Sequence, residues 1–340
     1  MFSVTGRIEY VEQPRGGFLN LKSFDVIQLD DNIILSKNEN VNAGIVGMTV
    51  DYLTRLSTGK SIEQAFEYSL RGAKIINDEE NAKSLLSEIT GIDEKSVFAA
   101  CKLVGYDVCY RAGAHKYKPV SEIIPNQETL ENIIVMVNRC REFLHNNGPI
   151  VLEGFNFDGG YTKLVSKGDG DYLTKDTLWD FKVSRKEPYS VNTLQILMYY
   201  IMGKHSIHRE FDDVSYIGIY NPRLNKIYKC PVSRIPDDVI EYVSHDIIGY
   251  GLTDEELRDF RIEHGLPDIE KAKLLLKRLY NSEIKTGDTV LHEKLGKGKV
   301  VSIRHIGKDT LYGIAFDENG TRNIISPLLG HHLIKKIETD

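Results

Sequence analysis

Two carboxylates and an amine at close spacing mark where this sequence can do chemistry. Gly168-Asp169-Gly170-Asp171-Tyr172-Leu173 is followed by Leu178-Trp179-Asp180-Phe181-Lys182, and then by Gln195-Ile196-Leu197-Met198-Tyr199. Alternate side chains of a strand share a face, so Asp180 and Lys182 point the same way and Phe181 points into the opposite layer. A short turn sets the preceding strand antiparallel beside this one, which brings Asp171 next to Asp180. Converging carboxylates repel unless a cation sits between them. A divalent metal with oxygen ligands meets that need, and Mg²⁺ (or Mn²⁺) is the common choice when phosphate is the substrate. Lys182, two residues from a metal carboxylate, is then placed to orient and polarise an attacking water, while the metal stabilises charge growing on the phosphate. Singly, an Asp at a strand turn is usually surface and a strand Lys usually faces solvent. A buried strand has little reason to carry D-x-K inward, and the combination in this order carries the reading.

Gln195 and Tyr199 are four residues apart on a helix and face one side of it. Gln195 interrupts an apolar run, which marks it for the site; Tyr199 fits core packing equally well. Arg185 and Lys186, just past the D-x-K strand, suit contacts to substrate phosphates or plain surface charge. His205 and His208 have the spacing of a metal pair but no third ligand, and read as surface.

The run GDGDYLTKDTLWDFKVSR with the following helix TLQILMYYIMG resembles the core of PD-(D/E)xK nucleases, in particular their RecB-like branch, over about residues 127–235. The resemblance implies a restriction-endonuclease-like mixed sheet flanked by helices, with Asp171, Asp180, Lys182, Gln195 and Tyr199 as the site. It also implies a metal held by Asp171, Asp180 and the Phe181 backbone carbonyl. The family often adds a glutamate from the helix before the first core strand. Glu128, Glu131 and Glu142 lie on that helix and Glu153 on the strand itself; Glu131 borders the apolar stripe and is slightly favoured. Two features of some relatives are absent: an upstream helical histidine and a four-cysteine iron–sulfur clasp.

The elements that must position these residues follow from periodicity. Residues 1–40 read as short strands, with Val26-Ile27 and Ile33-Ile34-Leu35 as apolar runs. From 44 to 110 the period turns helical: Ile45, Met48, Tyr52, Leu53 and Leu56 form one helix, Ser61 to Gln64 caps the next, and further helices fall at 82–89 and 95–103. A helix over 127–145 precedes strands at 150–157, 163–173 and 178–183, a helix at 192–202, and a hairpin of 214–220 with 226–232. Helices follow at 237–247 and 268–280. The pattern is α+β, with an accessory region over 1–125, the nuclease core over 126–282 and a β module over 283–340.

That last module carries Gly287-Asp288-Thr289-Val290-Leu291-His292 and Gly296-Lys297-Gly298-Lys299-Val300, and reads as a small five-stranded SH3-like barrel. It resembles the Tudor/SH3-like C-terminal domain of superfamily-one DNA-repair helicases. The resemblance implies docking to a protein or nucleic acid, with Lys294, Lys297, Lys299 and Arg304 as one basic edge or as a solvated loop.

Composition sets the outer bounds. The net charge of −6 does not announce a nucleic-acid binder, but whole-chain charge averages a basic groove against acidic metal ligands. No run approaches the roughly 20 apolar residues of a membrane span, and the first residues carry no secretory pattern. Cys101, Cys109, Cys140 and Cys230 lack CxxC spacing, which argues against zinc and a disulfide framework and fits a reducing cytoplasm. The sequence therefore leads to an expected Mg²⁺-dependent nuclease acting on DNA rather than RNA, with no membrane partner. The rival is a non-catalytic nucleic-acid-binding or adaptor protein on the same fold.

Overall fold

Strands from three separate stretches of the chain meet in one six-stranded mixed sheet. In chain order the first unit, Met1–Leu252, runs β1 (Phe2–Ser3), α1 (Val4–Ile8), β2 (Asp25–Gln28) and α2 (Ala43–Ser57). A helical run follows: α3 (Ile62–Ala65), α4 (Glu67–Ile75), α5 (Glu79–Ser87), α6 (Glu94–Val104), α7 (Asp107–Arg111) and α8 (Gln127–Asn147). Then come β3 (Ile150–Phe155), β4 (Val165–Lys167), β5 (Gly170–Thr174), β6 (Thr177–Phe181), α9 (Ser190–Lys204), β7 (Tyr216–Asn221), β8 (Lys226–Pro231) and α10 (Asp237–Tyr242). The computed structural model describes residues 1–264, 284–292, 295–306, 309–317, 319–325 and 334–336.

The sheet order is β2-β8-β7-β6-β5-β3. All neighbours pair antiparallel except β6 and β7, which are parallel and joined through α9, as a parallel pair needs a crossover. Phe143 of α8 packs on one face of the sheet, stacked on Tyr220 at 4.1 Å and edge-on to Trp179 at 4.8 Å. α2 and α6 pack behind α8, while α9 lies against β6 and β7. Ten residues of α9 are buried, so this helix is apolar nearly all round, as a helix enclosed by the fold must be.

The expected boundary near residue 125 falls between segments that share one core. Val46, Val50 and Leu53 of α2 are buried in the same cluster as Ile133, Val137, Tyr172 and Trp179, and β2 is an edge strand of the main sheet. The connection from β2 to α2 is pinned along α8. Arg139 holds Asp31 through two bonds of 2.6 and 2.7 Å, Asn132 holds Ser36 and Glu39, and Glu39 pairs with Arg223 at 2.6 Å.

Several expected elements change form. Ile33-Ile34-Leu35 is irregular rather than a strand, because its polar neighbours are taken by α8. The expected strand at 163–173 breaks in two: β4 pairs parallel with β1 in a separate two-stranded sheet, and only β5 enters the main one. The break falls at Gly168, where a Cβ would lie 3.0 Å from Val4 and 3.3 Å from the Tyr199 ring. The helix expected at 237–247 is α10 followed by a π-turn, Val243–Ile248, stopped by Gly249 in the left-handed region.

The second unit, Thr253–Asp340, holds α11 (Asp254–Glu263) and strands β9 (Thr289–His292), β10 (Gly296–Ile306), β11 (Asp309–Phe316), β12 (Gly320–Ile325) and β13 (Ile334–Lys336). They form one antiparallel sheet in the order β12-β11-β10-β9-β13, around Val290, Val300, Ile314 and Phe316. The strand count is the expected five. The expected closure is not seen: among the described residues no pairing joins β12 to β13. The helix expected at 268–280 lies outside the described residues. Among those described, no helix is long and apolar enough to cross a membrane.

Candidate active site

Pairing of β5 with β6 sets Tyr172 opposite Trp179 and Leu173 opposite Leu178. The same register carried one step further sets Asp171 level with Asp180. Trp179 and Phe181 pack edge-on against Phe143, so the pleat turns Asp180 and Lys182 to the other face. Asp171 Oδ2 accepts the Phe181 N–H at 2.7 Å. Lys182 Nζ donates to Asp180 Oδ1 at 3.0 Å and lies 2.8 Å from Oδ2. The second approach lacks hydrogen-bond geometry, which leaves Asp180 Oδ2 buried without a hydrogen-bond donor among the described residues.

These side chains line one cleft of about 1030 Å³ together with Gln195 and Tyr199. Gln195 Nε2 donates to Tyr199 Oη at 3.0 Å, and Phe157 stacks on the Tyr199 ring at 5.0 Å. Tyr199 is thus core on one side and cleft lining on the other.

The electrostatics are those of negative charge held in low dielectric. Burial, then Asp180 and Asp51, push Asp171 up to about 7. Burial also raises Asp180, against the pull of Lys182. For Lys182 burial works against the charge, yet Asp180 and Asp171 hold its ammonium above the ordinary lysine range. Each carboxylate is costly to ionise without more positive charge nearby.

The opposite wall comes from α2. Gly47, Asp51 and Arg55 are spaced four residues apart, and all border the cleft. Arg55 Nε donates to Asp51 Oδ1 at 2.9 Å, and Nη2 lies 4.0 Å from Asp171 Oδ1. Arg111, held by the buried Asp107 and the Tyr52 hydroxyl, also borders the cleft, as do Tyr68 and Tyr110. Sequence reasoning missed this wall. Its one signal was an Asp and an Arg, one turn apart, at the margin of an otherwise apolar helix stripe.

Other expected residues lie elsewhere. Glu131 is exposed, bonded to Gln127, and does not line the cleft. Glu128 is half-buried outside the cleft, Glu142 borders a second, shallow pocket, and Glu153 accepts a hydrogen bond from Thr58. The acidic residue contributed by a helix is Asp51. Arg185 is tied to Glu39 and the Lys37 carbonyl, and Lys186 is exposed away from the cleft. His205 stacks on Tyr250 at 4.0 Å; His208 is half-buried beside Phe155 rather than on the surface. The four cysteines are buried and free.

Among the described residues no three His, Cys, Asp or Glu side chains gather as a metal-holding cluster. A hard divalent ion needs fewer, since Mg²⁺ sits on one or two carboxylates and completes its shell with water and substrate phosphate. The buried Asp180 carboxylate beside the half-buried Asp171 carboxylate fits that kind of ion.

In the second unit Lys297, Lys299 and Arg304 are exposed on β10; Lys294 lies outside the described residues. No curated protein and no solved structure matches the chain. A family model does match within the second unit: residues 286–328 fit the PcrA/UvrD tudor domain, and that stretch is Tudor-like.

Proposed function

We propose that the chain is a metal-dependent nuclease of the PD-(D/E)xK type, hydrolysing phosphodiester bonds in DNA. The observation that carries the reading is the convergence of Asp171, Asp180 and Lys182 on one cleft, with the Lys182 ammonium 3.0 and 2.8 Å from the two Asp180 oxygens. The mixed sheet, with D-x-K on β6, its partner Asp171 on β5 and Gln195 on α9, supports the restriction-endonuclease-like arrangement. Asp171 and Asp180 would hold Mg²⁺, which when bound supplies Lewis-acid stabilisation of the phosphate charge.

The chain's own residues divide the remaining work. The Phe181 N–H fixes the Asp171 carboxylate, and Asp180 fixes the Lys182 ammonium. That ammonium is placed to orient a water for attack on phosphorus and to offset negative charge as it grows. Hydrolysis adds the water oxygen to phosphorus and breaks one P–O ester bond, so that one strand end keeps the phosphate monoester and the other leaves as an alcohol carrying a proton from the water. Gln195, braced by the Tyr199 hydroxyl, offers an amide to the water or phosphate. The Tudor-like unit is a docking module for nucleic acid or for a protein partner.

The test is cleavage of single-stranded, double-stranded and circular DNA, and of RNA, with Mg²⁺ or Mn²⁺, beside Lys182→Ala. Metal-dependent cleavage is expected, with kcat lower by on the order of 10² or more in the variant and nucleic-acid affinity little changed. Equal turnover in the two proteins would sink the reading. Binding without cleavage by the wild type would favour the adaptor.

A further inference from the structure

Arg55 sits where a pure structural ion pair would not need it. Its Nε is committed to Asp51, and only about a sixth of the side chain is open, 17%. Among the described residues the two Nη groups donate no hydrogen bond; Nη2 is 4.0 Å from Asp171 Oδ1. The slot they occupy exists because β3 has glycine at position 154, with φ +56; a Cβ there would lie 2.7 Å from Nη1. Arg55, Asp171, Asp180 and Lys182 border the same cleft.

We propose that Arg55 is a catalytic residue, donating through its Nη groups to the non-bridging oxygens of the scissile phosphodiester. This rests on the nuclease reading and deepens it. A guanidinium anchored at Nε presents its terminal N–H groups as a fixed fork, the geometry that suits phosphate. Charge counting supports the role. Five aspartates border the cleft against four cations, Arg55, Arg111, Lys167 and Lys182, which leaves one net negative charge when all are ionised, and a phosphodiester adds another. A single divalent ion then only balances the cleft, and without Arg55 the bound phosphate would carry uncompensated charge into it. Asp51 acts as the positioning residue that fixes the fork.

The test compares wild type, Arg55→Ala and Arg55→Lys in Mg²⁺-dependent turnover and, with no nucleic acid present, in calorimetric Mn²⁺ binding. Arg55→Ala should lose on the order of 10² to 10³ in kcat, with Mn²⁺ affinity equal or tighter because a neighbouring cation has gone. Arg55→Lys keeps the charge but loses the fork, so turnover should recover little; it also carries the test should Arg55→Ala fail to fold. Millimolar guanidinium should restore turnover to Arg55→Ala and not to Lys182→Ala. Wild-type turnover in either Arg55 variant overturns the proposal. So does Mn²⁺ binding that falls in step with turnover, which marks a structural role. A wild-type protein that cleaves nothing overturns the nuclease reading and this proposal together, and is told apart because the failure precedes any substitution.

Discussion

Burial, together with the charges of Asp180 and Asp51, places the Asp171 proton in equilibrium near neutral pH, at about 7 against 3.8 for the free side chain. Between those values the folded chain binds a proton that the unfolded chain has released. Stability of the metal-free protein therefore falls as pH rises through that window, and no further above it. Comparing the melting of wild type and Asp171→Asn between about pH 5 and about pH 8 isolates this contribution: the wild type should lose stability relative to the variant as pH rises. Parallel curves would mean that Asp171 is not the titrating group. Mn²⁺ affinity should climb over the same range, because the ion must displace the proton. The residues behind this behaviour were legible unequally. Asp171, Asp180 and Lys182 follow from pleat and register within one hairpin, and Gln195 from its intrusion into an apolar helix. Asp51 and Arg55 share no local pattern with them, since only tertiary closure brings α2 to the cleft.

Between elements, the connection from β2 to α2 is fixed by ion pairs where a loop of that length would otherwise be loose. Glu39 is 5% exposed and Arg223 is 7% exposed in their 2.6 Å pair, with Arg185 and Asn132 on the same carboxylate. Glu39→Ala strands the Arg223 guanidinium and should cost about 3–5 kcal/mol, the scale of a broken buried pair. Urea denaturation measures it; a loss below about 1 kcal/mol would mean that the pair acts as an exposed one. The same clasp holds Arg185, exposed just past the D-x-K strand, toward Glu39. At this scale the helices α2, α6, α8 and α9 and the hairpin of β7 with β8 were readable, because period and turn chemistry are local. The split of β4 from β5 was not, because it depends on how near Gly168 passes to Tyr199. Nor was the place of β2: two apolar residues in a strand of four do not say which edge it will join.

Across the whole chain, two units have separate cores. A protein ending at Leu252 should keep the fold of the first unit and cleave short oligonucleotides at the full rate. Circular dichroism and single-turnover kinetics check this; a truncated chain that folds but has lost its rate would make the Tudor-like unit part of the cleft chemistry. The second unit was legible from its Gly-Asp and Gly-x-Gly turns, while closure of its sheet depends on pairings that sequence does not encode locally. The parallel pairing of β6 with β7 has a further consequence, for biosynthesis. Asp51 and Arg55 leave the ribosome long before Lys182, and β6 cannot gain its parallel neighbour until α9 and β7 have followed. β8 must then arrive to bind β2. Contacts this far apart in sequence form late, so a half-made or prematurely terminated chain has one wall of the cleft without the other. On the proposed nuclease reading, cleavage is therefore expected only of chains completed through β8, and not of shorter fragments.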